Sequence, residues 1–196
     1  FGTNAFYFGM LCTSGTSNAV EVAFAHDTKD SAFELIAAVR VDASTPNKPS
    51  EIGVFVGDYT FVYCQWYIKA SSAGDLEISL TTNGTATDHD FIQMYGDNSG
   101  IEKATQSAQG NINLIYTAPP SDGYGTMGWF TYAKPLGGSE GLVVGTSGGD
   151  AGGSHMRTTA WAGLYDELAD TKAMVRFVGC VSGATDFNAQ LWGVRT

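Results

Sequence analysis

A chain of 196 residues with 25 glycines, 11 Phe, 9 Tyr, 4 Trp and only 15% charged residues has the composition of short strands joined by tight turns, since flat side chains suit a pleated, half-buried surface. Its net charge of −10, with 10 basic residues scattered singly, excludes a patch able to neutralise a run of phosphates and argues against nucleic acid or an anionic membrane as partner. No apolar run reaches the ~18 residues of a spanning helix, and the length is enough for one domain, 1–196, to fold without disulfides or metals.

Period-2 alternation runs through the chain. Short strands are expected near 5–12 and 19–25. In the next, Phe33, Leu35, Ala37, Val39 and Val41 share one face while Glu34 and Arg40 take the other. Ile52, Val54 and Val56 form a short strand ended by Gly57-Asp58. The longest candidate is 59–70, with Val62, Cys64, Trp66 and Ile68 on one side and Phe61, Tyr63, Gln65, Tyr67 and Lys69 on the other. Leu76, Ile78 and Leu80 alternate with Asp75, Glu77 and Ser79, the pattern of a sheet with one wet face. Asn83-Gly84 reads as a turn.

Further strands are expected near 89–95, 111–118, 124–133, 141–146 and 156–162. At the C-terminus, 173–179 and 187–193 read as adjacent strands with Phe177 and Leu191 in the core. Helical signal is confined to a turn within 164–172. The total of roughly ten to twelve strands at regular spacing predicts an all-β antiparallel sandwich with little helix. The segment 145–155, with five glycines in eleven residues, reads as an exposed loop containing Ser147, Gly148, Gly149, Asp150 and His155.

Several motifs suggest chemistry. Gly145-Thr146-Ser147-Gly148-Gly149 fits a G-x-S-x-G elbow, with His26-Asp27 far upstream. A hydrolase elbow needs a helix after the serine, and a Ser-His-Asp triad needs convergence; here glycine and small residues follow, so a serine hydrolase is a distant alternative and Ser147→Ala is expected to change nothing. Gly123-Tyr124-Gly125-Thr126-Met127-Gly128 matches a dinucleotide fingerprint, but Trp129-Phe130-Thr131-Tyr132 continues it as a strand where a helix is required. Asp88-His89-Asp90 with Asp97 offers oxygen ligands near a turn without calcium-loop spacing, and the three histidines show no zinc pattern. Asp166, Glu167 and Asp170 beside Trp161 and Tyr165 read as a solvated acidic loop. Cys12, Cys64 and Cys180 contain no Cys-x-x-Cys pair, and the latter two sit in apolar strand patterns as buried thiols. No cofactor, metal site or catalytic residue is assigned. No signal peptide is visible, and Phe at position 1 implies a natural start elsewhere.

From about residue 51 the order of segments carries a likeness. Phe61 to Ala70 leads to Leu76-x-Ile78-x-Leu80, an Asn83-Gly84 turn and an aromatic strand ending Met94-Tyr95-Gly96. A Gly-x-Gly strand (123–132) and a glycine-rich hairpin precede Thr159-Ala160-Trp161. The close is Ala173-x-Val175-x-Phe177, Phe187 and terminal Leu191-Trp192-Gly193-Val194. This arrangement resembles the jelly-roll domain of tailed-bacteriophage virion proteins (capsid decorations, head fibres and tail-associated proteins), which ends in Leu-Tyr-Gly plus an aliphatic residue. Trp192 in place of the Tyr and a longer Asp-rich turn at 85–90 depart from it, and residues 1–50, read as N-terminal strands or an arm, lie outside it. The resemblance implies a jelly-roll fold, a structural and non-enzymatic role in the virion, and a homo-oligomer, often a trimer, in contact with other virion proteins such as the major capsid protein.

The expected function is therefore a structural virion component acting through subunit and surface contacts. Phe61, Tyr63 and Tyr67, on the second face of a strand that already has a core face, are the candidate oligomer interface. The alternative is a β-sandwich module binding glycans or a receptor on a host surface through exposed aromatics.

Overall fold

Alternating side chains give each strand one apolar side, and two sheets close those sides on each other. The computed structural model describes residues 10–11, 21–23, 34–56, 59–70, 76–79, 89–97, 100–114, 125–133, 141–150, 156–165, 174–179 and 183–195. In chain order the strands are β1 (Met10–Leu11), β2 (Glu21–Ala23), β3 (Glu34–Asp42), β4 (Glu51–Phe55), β5 (Tyr59–Ala70), β6 (Leu76–Ser79) and β7 (His89–Asp97). They continue as β8 (Gly100–Gln109), β9 (Ile112–Asn113), β10 (Thr126–Ala133), β11 (Gly141–Asp150), β12 (Met156–Tyr165), β13 (Met174–Gly179) and β14 (Ala184–Arg195).

A five-stranded sheet has the order β1-β4-β13-β6-β9 and a nine-stranded sheet the order β2-β3-β14-β5-β10-β11-β12-β7-β8. Pairing is antiparallel throughout. Apart from the steps β2 to β3, β7 to β8 and β10 through β11 to β12, every connection between consecutive strands carries the chain from one sheet to the other. This is the antiparallel β-sandwich that the alternation predicts and the resemblance gives as a jelly roll, and no α-helix occurs among the described residues. Without β1 and β2, the two shortest N-terminal pieces, the sheets hold four and eight strands.

Aromatic side chains fill the space between the layers. Phe177 of the small sheet meets Phe187 edge-on at 5.3 Å between centroids and Phe130 at 6.4 Å, and Phe130 lies 6.1 Å from Trp161. Such pairs add about 0.5–1.5 kcal/mol each beyond the area they bury. Cys64 is buried and unpaired, and burial holds its thiol well above the usual range. Cys12 and Cys180 lie outside the described residues.

Three expectations are corrected. The C-terminal strands are not neighbours: β13 pairs with β4 and β6, β14 with β3 and β5. Phe177 and Leu191 are both buried as predicted, but they reach the core from opposite sheets. Alternation tells which face of a strand is apolar and nothing about which strand lies beside it. The second is a strand in the stretch to which the alternation assigned none: β8, Gly-Ile-Glu-Lys-Ala-Thr-Gln-Ser-Ala-Gln, carries no apolar alternation because it is an edge strand with little core beneath it; Ile101 is 84% exposed.

The third concerns the glycine-rich segment. Ser147, Gly148, Gly149 and Asp150 are not in a loop; they continue β11, paired with Gly128 to Thr126 on one side and Thr159 to Met156 on the other. Two of its glycines, Gly145 and Gly149, answer to crowding. A Cβ on Gly149 would lie 2.6 Å from the Gly125 carbonyl oxygen, and one on Gly145 would lie 2.6 Å from that of Trp129 and against the Trp161 ring. His155 lies outside the described residues, as do the Asn83-Gly84 turn, Asp88 and residues 166–172. Leu164 belongs to β12 rather than a helical turn.

Candidate functional site on the outer face of the large sheet

The small sheet covers one face of the large sheet, and the outward side chains of the other face divide into two chemistries. On β14, β5 and β10 the register sets Asn188 beside Tyr67 and Met127, Gln190 beside Gln65 and Trp129, and Trp192 beside Tyr63 and Thr131. Two exposed amides therefore sit at the middle of a patch edged by Tyr67, Trp129, Tyr63 and Trp192. Tyr63 stacks on Trp129 at 6.4 Å with 28° between the planes and meets Trp192 at 5.8 Å. A groove of about 380 Å³ opens at the Tyr67 end, lined by Ala38, Arg40, Gln65, Tyr67, Met127, Asn188 and Gln190 together with Val39 and Trp66.

Local structure fixes these groups. Gly125, with φ +85°, leaves room for the Tyr67 ring: a Cβ there would lie 2.7 Å from the Tyr67 hydroxyl and 2.7 Å from the Ile68 carbonyl oxygen. Burial, then nearby Asp186, pushes the Tyr67 hydroxyl above its ordinary pKa, so it stays protonated around neutrality. Asn188 donates to Asp186 Oδ1 at 2.6 Å, and Arg40 lies 3.9 Å from Asp42.

On β11, β12 and β7 the central outward positions are mostly aliphatic, with Thr146, Thr158 and Asp90 toward their edges. Leu142 faces Leu164, Val144 faces Ala162, and Ala162 and Ala160 face Ile92 and Met94. Ile92, Met94, Leu142 and Leu164 are 44–56% exposed, an unusual concentration of apolar surface on adjacent strands. Phe61, half-buried beside Val194 and Ala133, extends this half toward β14. Of the predicted interface aromatics, Phe61 thus belongs with the aliphatic half, while Tyr63 and Tyr67 belong with the amides.

Among the described residues the motif side chains form no common site. Ser147 is only 4% exposed, and its hydroxyl donates to the Leu114 carbonyl oxygen at 2.7 Å; His26 lies outside the described residues. His89 is buried on β7 rather than in an acidic turn, its Nδ1 donating to the Gln109 carbonyl oxygen at 3.1 Å, while Asp90 is exposed on the same strand. Among the described residues no group of three or more His, Cys, Asp or Glu could hold a metal ion. Sequence reasoning missed Trp129 and Gln190 as members of one patch. The usable signal was Trp192 at an outward position and Gln65 set among Phe61, Tyr63 and Tyr67.

No family model matches the chain, and no curated protein matches it either. Solved structures that overlap it include a Lotus tetragonolobus seed lectin, 7% identical over 88% of this chain and 98% of the lectin, and the Ulex europaeus lectin I in complex with the methyl glycoside of α-L-fucose, 8% identical over 90% and 98%. Both have a TM-score of 0.19, too low to bear on fold or ligand.

Proposed function

We propose that this chain is a structural component of a tailed-phage virion, a capsid decoration, fibre or spike protein, that assembles with further copies of itself through the aliphatic half of its large sheet. The observation that carries the reading is the run of half-exposed Leu142, Leu164, Ile92 and Met94 on three adjacent strands. Charge favours a second copy as the occupant. The outward positions of β11, β12, β7 and β8 hold Asp90 and Lys103 among their described side chains, one of each sign, in a chain of net charge −10. Two copies therefore meet there without the repulsion that other approaches bring.

Size is adequate too. Four strands ~4.8 Å apart and ~30 Å long present roughly 570 Å², and a pair of such faces exceeds the ~1,000 Å² of a specific interface. The virion setting rests on the order of strands and on the Leu191-Trp192-Gly193-Val194 ending. There Leu191 is buried and Trp192 faces outward, while a Cβ on Gly193 would lie 2.7 Å from Ile36 Cδ1. A trimer, virion location and contact with a major capsid protein follow from the same resemblance.

Sedimentation at micromolar concentration tests the reading. A homo-oligomer is expected, and Ile92→Asp, a change at an exposed position, should return it to monomer with the fold intact. A 20.7 kDa monomer that does not join a larger particle would overturn it.

A further inference from the structure

We infer that the aromatic–amide half of the same sheet face is a carbohydrate site that takes a short, neutral oligosaccharide. This goes beyond the assembly role and occupies different strands, so either can fail without the other. Gln65 and Gln190 stand directly opposite each other on β5 and β14 and are both exposed. Each amide offers a donor pair and an acceptor, which is what a sugar hydroxyl, itself donor and acceptor, requires. An apolar protein surface laid over them would strand both amides unpaired; a glycan would not.

The surrounding rings supply the other half of sugar recognition. Pyranose rings expose C–H faces that pack on aromatic faces, and the nearly parallel Tyr63 and Trp129 rings, with Trp192 tilted beside them, form such a floor next to the amides. Tyr67 closes the far end, two residues beyond Gln65 and held by its close fit over Gly125. From Tyr63 to Tyr67 is about 13 Å of extended strand, a span for linked sugars rather than one ring. The groove of about 380 Å³ between Gln65, Gln190, Asn188 and Arg40 gives the ligand depth at that end.

Charge selects a neutral ligand. The chain is net −10; at the rim Asp186 stands opposite Lys69 and Arg40 lies 3.9 Å from Asp42, so each cation near the groove already has an acidic neighbour. An acidic glycan would meet more repulsion than pairing.

The test uses the full chain on an array of neutral and sialylated oligosaccharides, followed by titration of the best neutral binder with tryptophan fluorescence as readout. Binding to neutral chains, with a change in emission from Trp129 and Trp192, is expected. Gln65→Ala and Trp129→Ala should each weaken it about tenfold or more; both positions are exposed, so thermal melting should be unchanged and a folding defect is distinguishable. Gln190→Ala serves as an independent third variant. Absence of binding across the array, binding confined to sialylated glycans, or affinity unaltered in all three variants would overturn the inference. So would a Trp129→Ala protein that loses its oligomeric state while the unchanged chain shows no glycan response, since the patch would then be a subunit contact.

Discussion

Tyr59 ties three neighbouring strands of the large sheet, β3, β14 and β5, together. Its hydroxyl donates to Glu34 Oε1 at 2.8 Å, Arg195 Nε donates to the same oxygen at 2.7 Å, and the Arg195 guanidinium sits 5.4 Å above the Tyr59 ring. Burial and the bond to Glu34 push the Tyr59 hydroxyl up from 10.0 to about 12. A folded-state value above the unfolded one means that the contribution is complete below about pH 10 and is lost as pH rises through about 12. Melting temperature should therefore fall across that alkaline window, and Tyr59→Phe should remove part of the fall; parallel curves for the two proteins would show that Tyr59 is not responsible. Ser147 makes a second prediction at this scale. Its buried bond to the Leu114 carbonyl means that Ser147→Ala should cost about 1–3 kcal/mol in urea unfolding, where the sequence alone predicted no effect.

β11 shows what a strand owes to its neighbours. Its ten residues, Gly141–Asp150, include glycines that local propensity counts against a strand, yet it is paired along its whole length with β12 and from Leu142 to Gly149 with β10. The strand lies in a crowded sheet where the rings of Trp161 and Phe130 and the backbone of β10 occupy the space above it. Gly145→Ala is accordingly expected to destabilise by about 1–3 kcal/mol through overpacking, against the small gain that removing a flexible glycine gives where space allows. Equal or higher stability by calorimetry would mean that β10 can shift aside. β8 shows the converse: ten residues with no apolar period become a strand because β7 offers an unpaired edge, and the polar surface left outward suits an edge that must not template aggregation.

For the whole molecule, the two halves of one sheet face separate two proposed contacts, copies of the chain on the aliphatic side and a neutral glycan on the aromatic side. The net charge of −10 then predicts how assembly responds to salt. An interface built on aliphatic contacts in an acidic chain gains when repulsion is screened, whereas one built on ion pairs loses. Raising salt from low to physiological ionic strength should leave the sedimenting species unchanged or larger, and dissociation would point to a charged interface elsewhere.

The sequence by itself determined the all-β class, the position of most strands and most of the core; at the start of β3 a register shift reverses the predicted phase, so that Glu34 and Ile36 are buried and Leu35 stands outward opposite Trp192. Val62, Cys64, Trp66 and Ile68 alternate because the strand period is two, and all four are buried. It also placed Phe61, Tyr63 and Tyr67 on the opposite side of β5. Tertiary structure alone decided that β13 and β14 face each other across the core, that residues 145–150 are strand, and that Gln65, Gln190, Trp129 and Trp192 share one patch. These last facts depend on pairing between segments far apart in the chain. Periodicity within a segment fixes which way its side chains point, and only the closing of the sheet fixes what stands beside them.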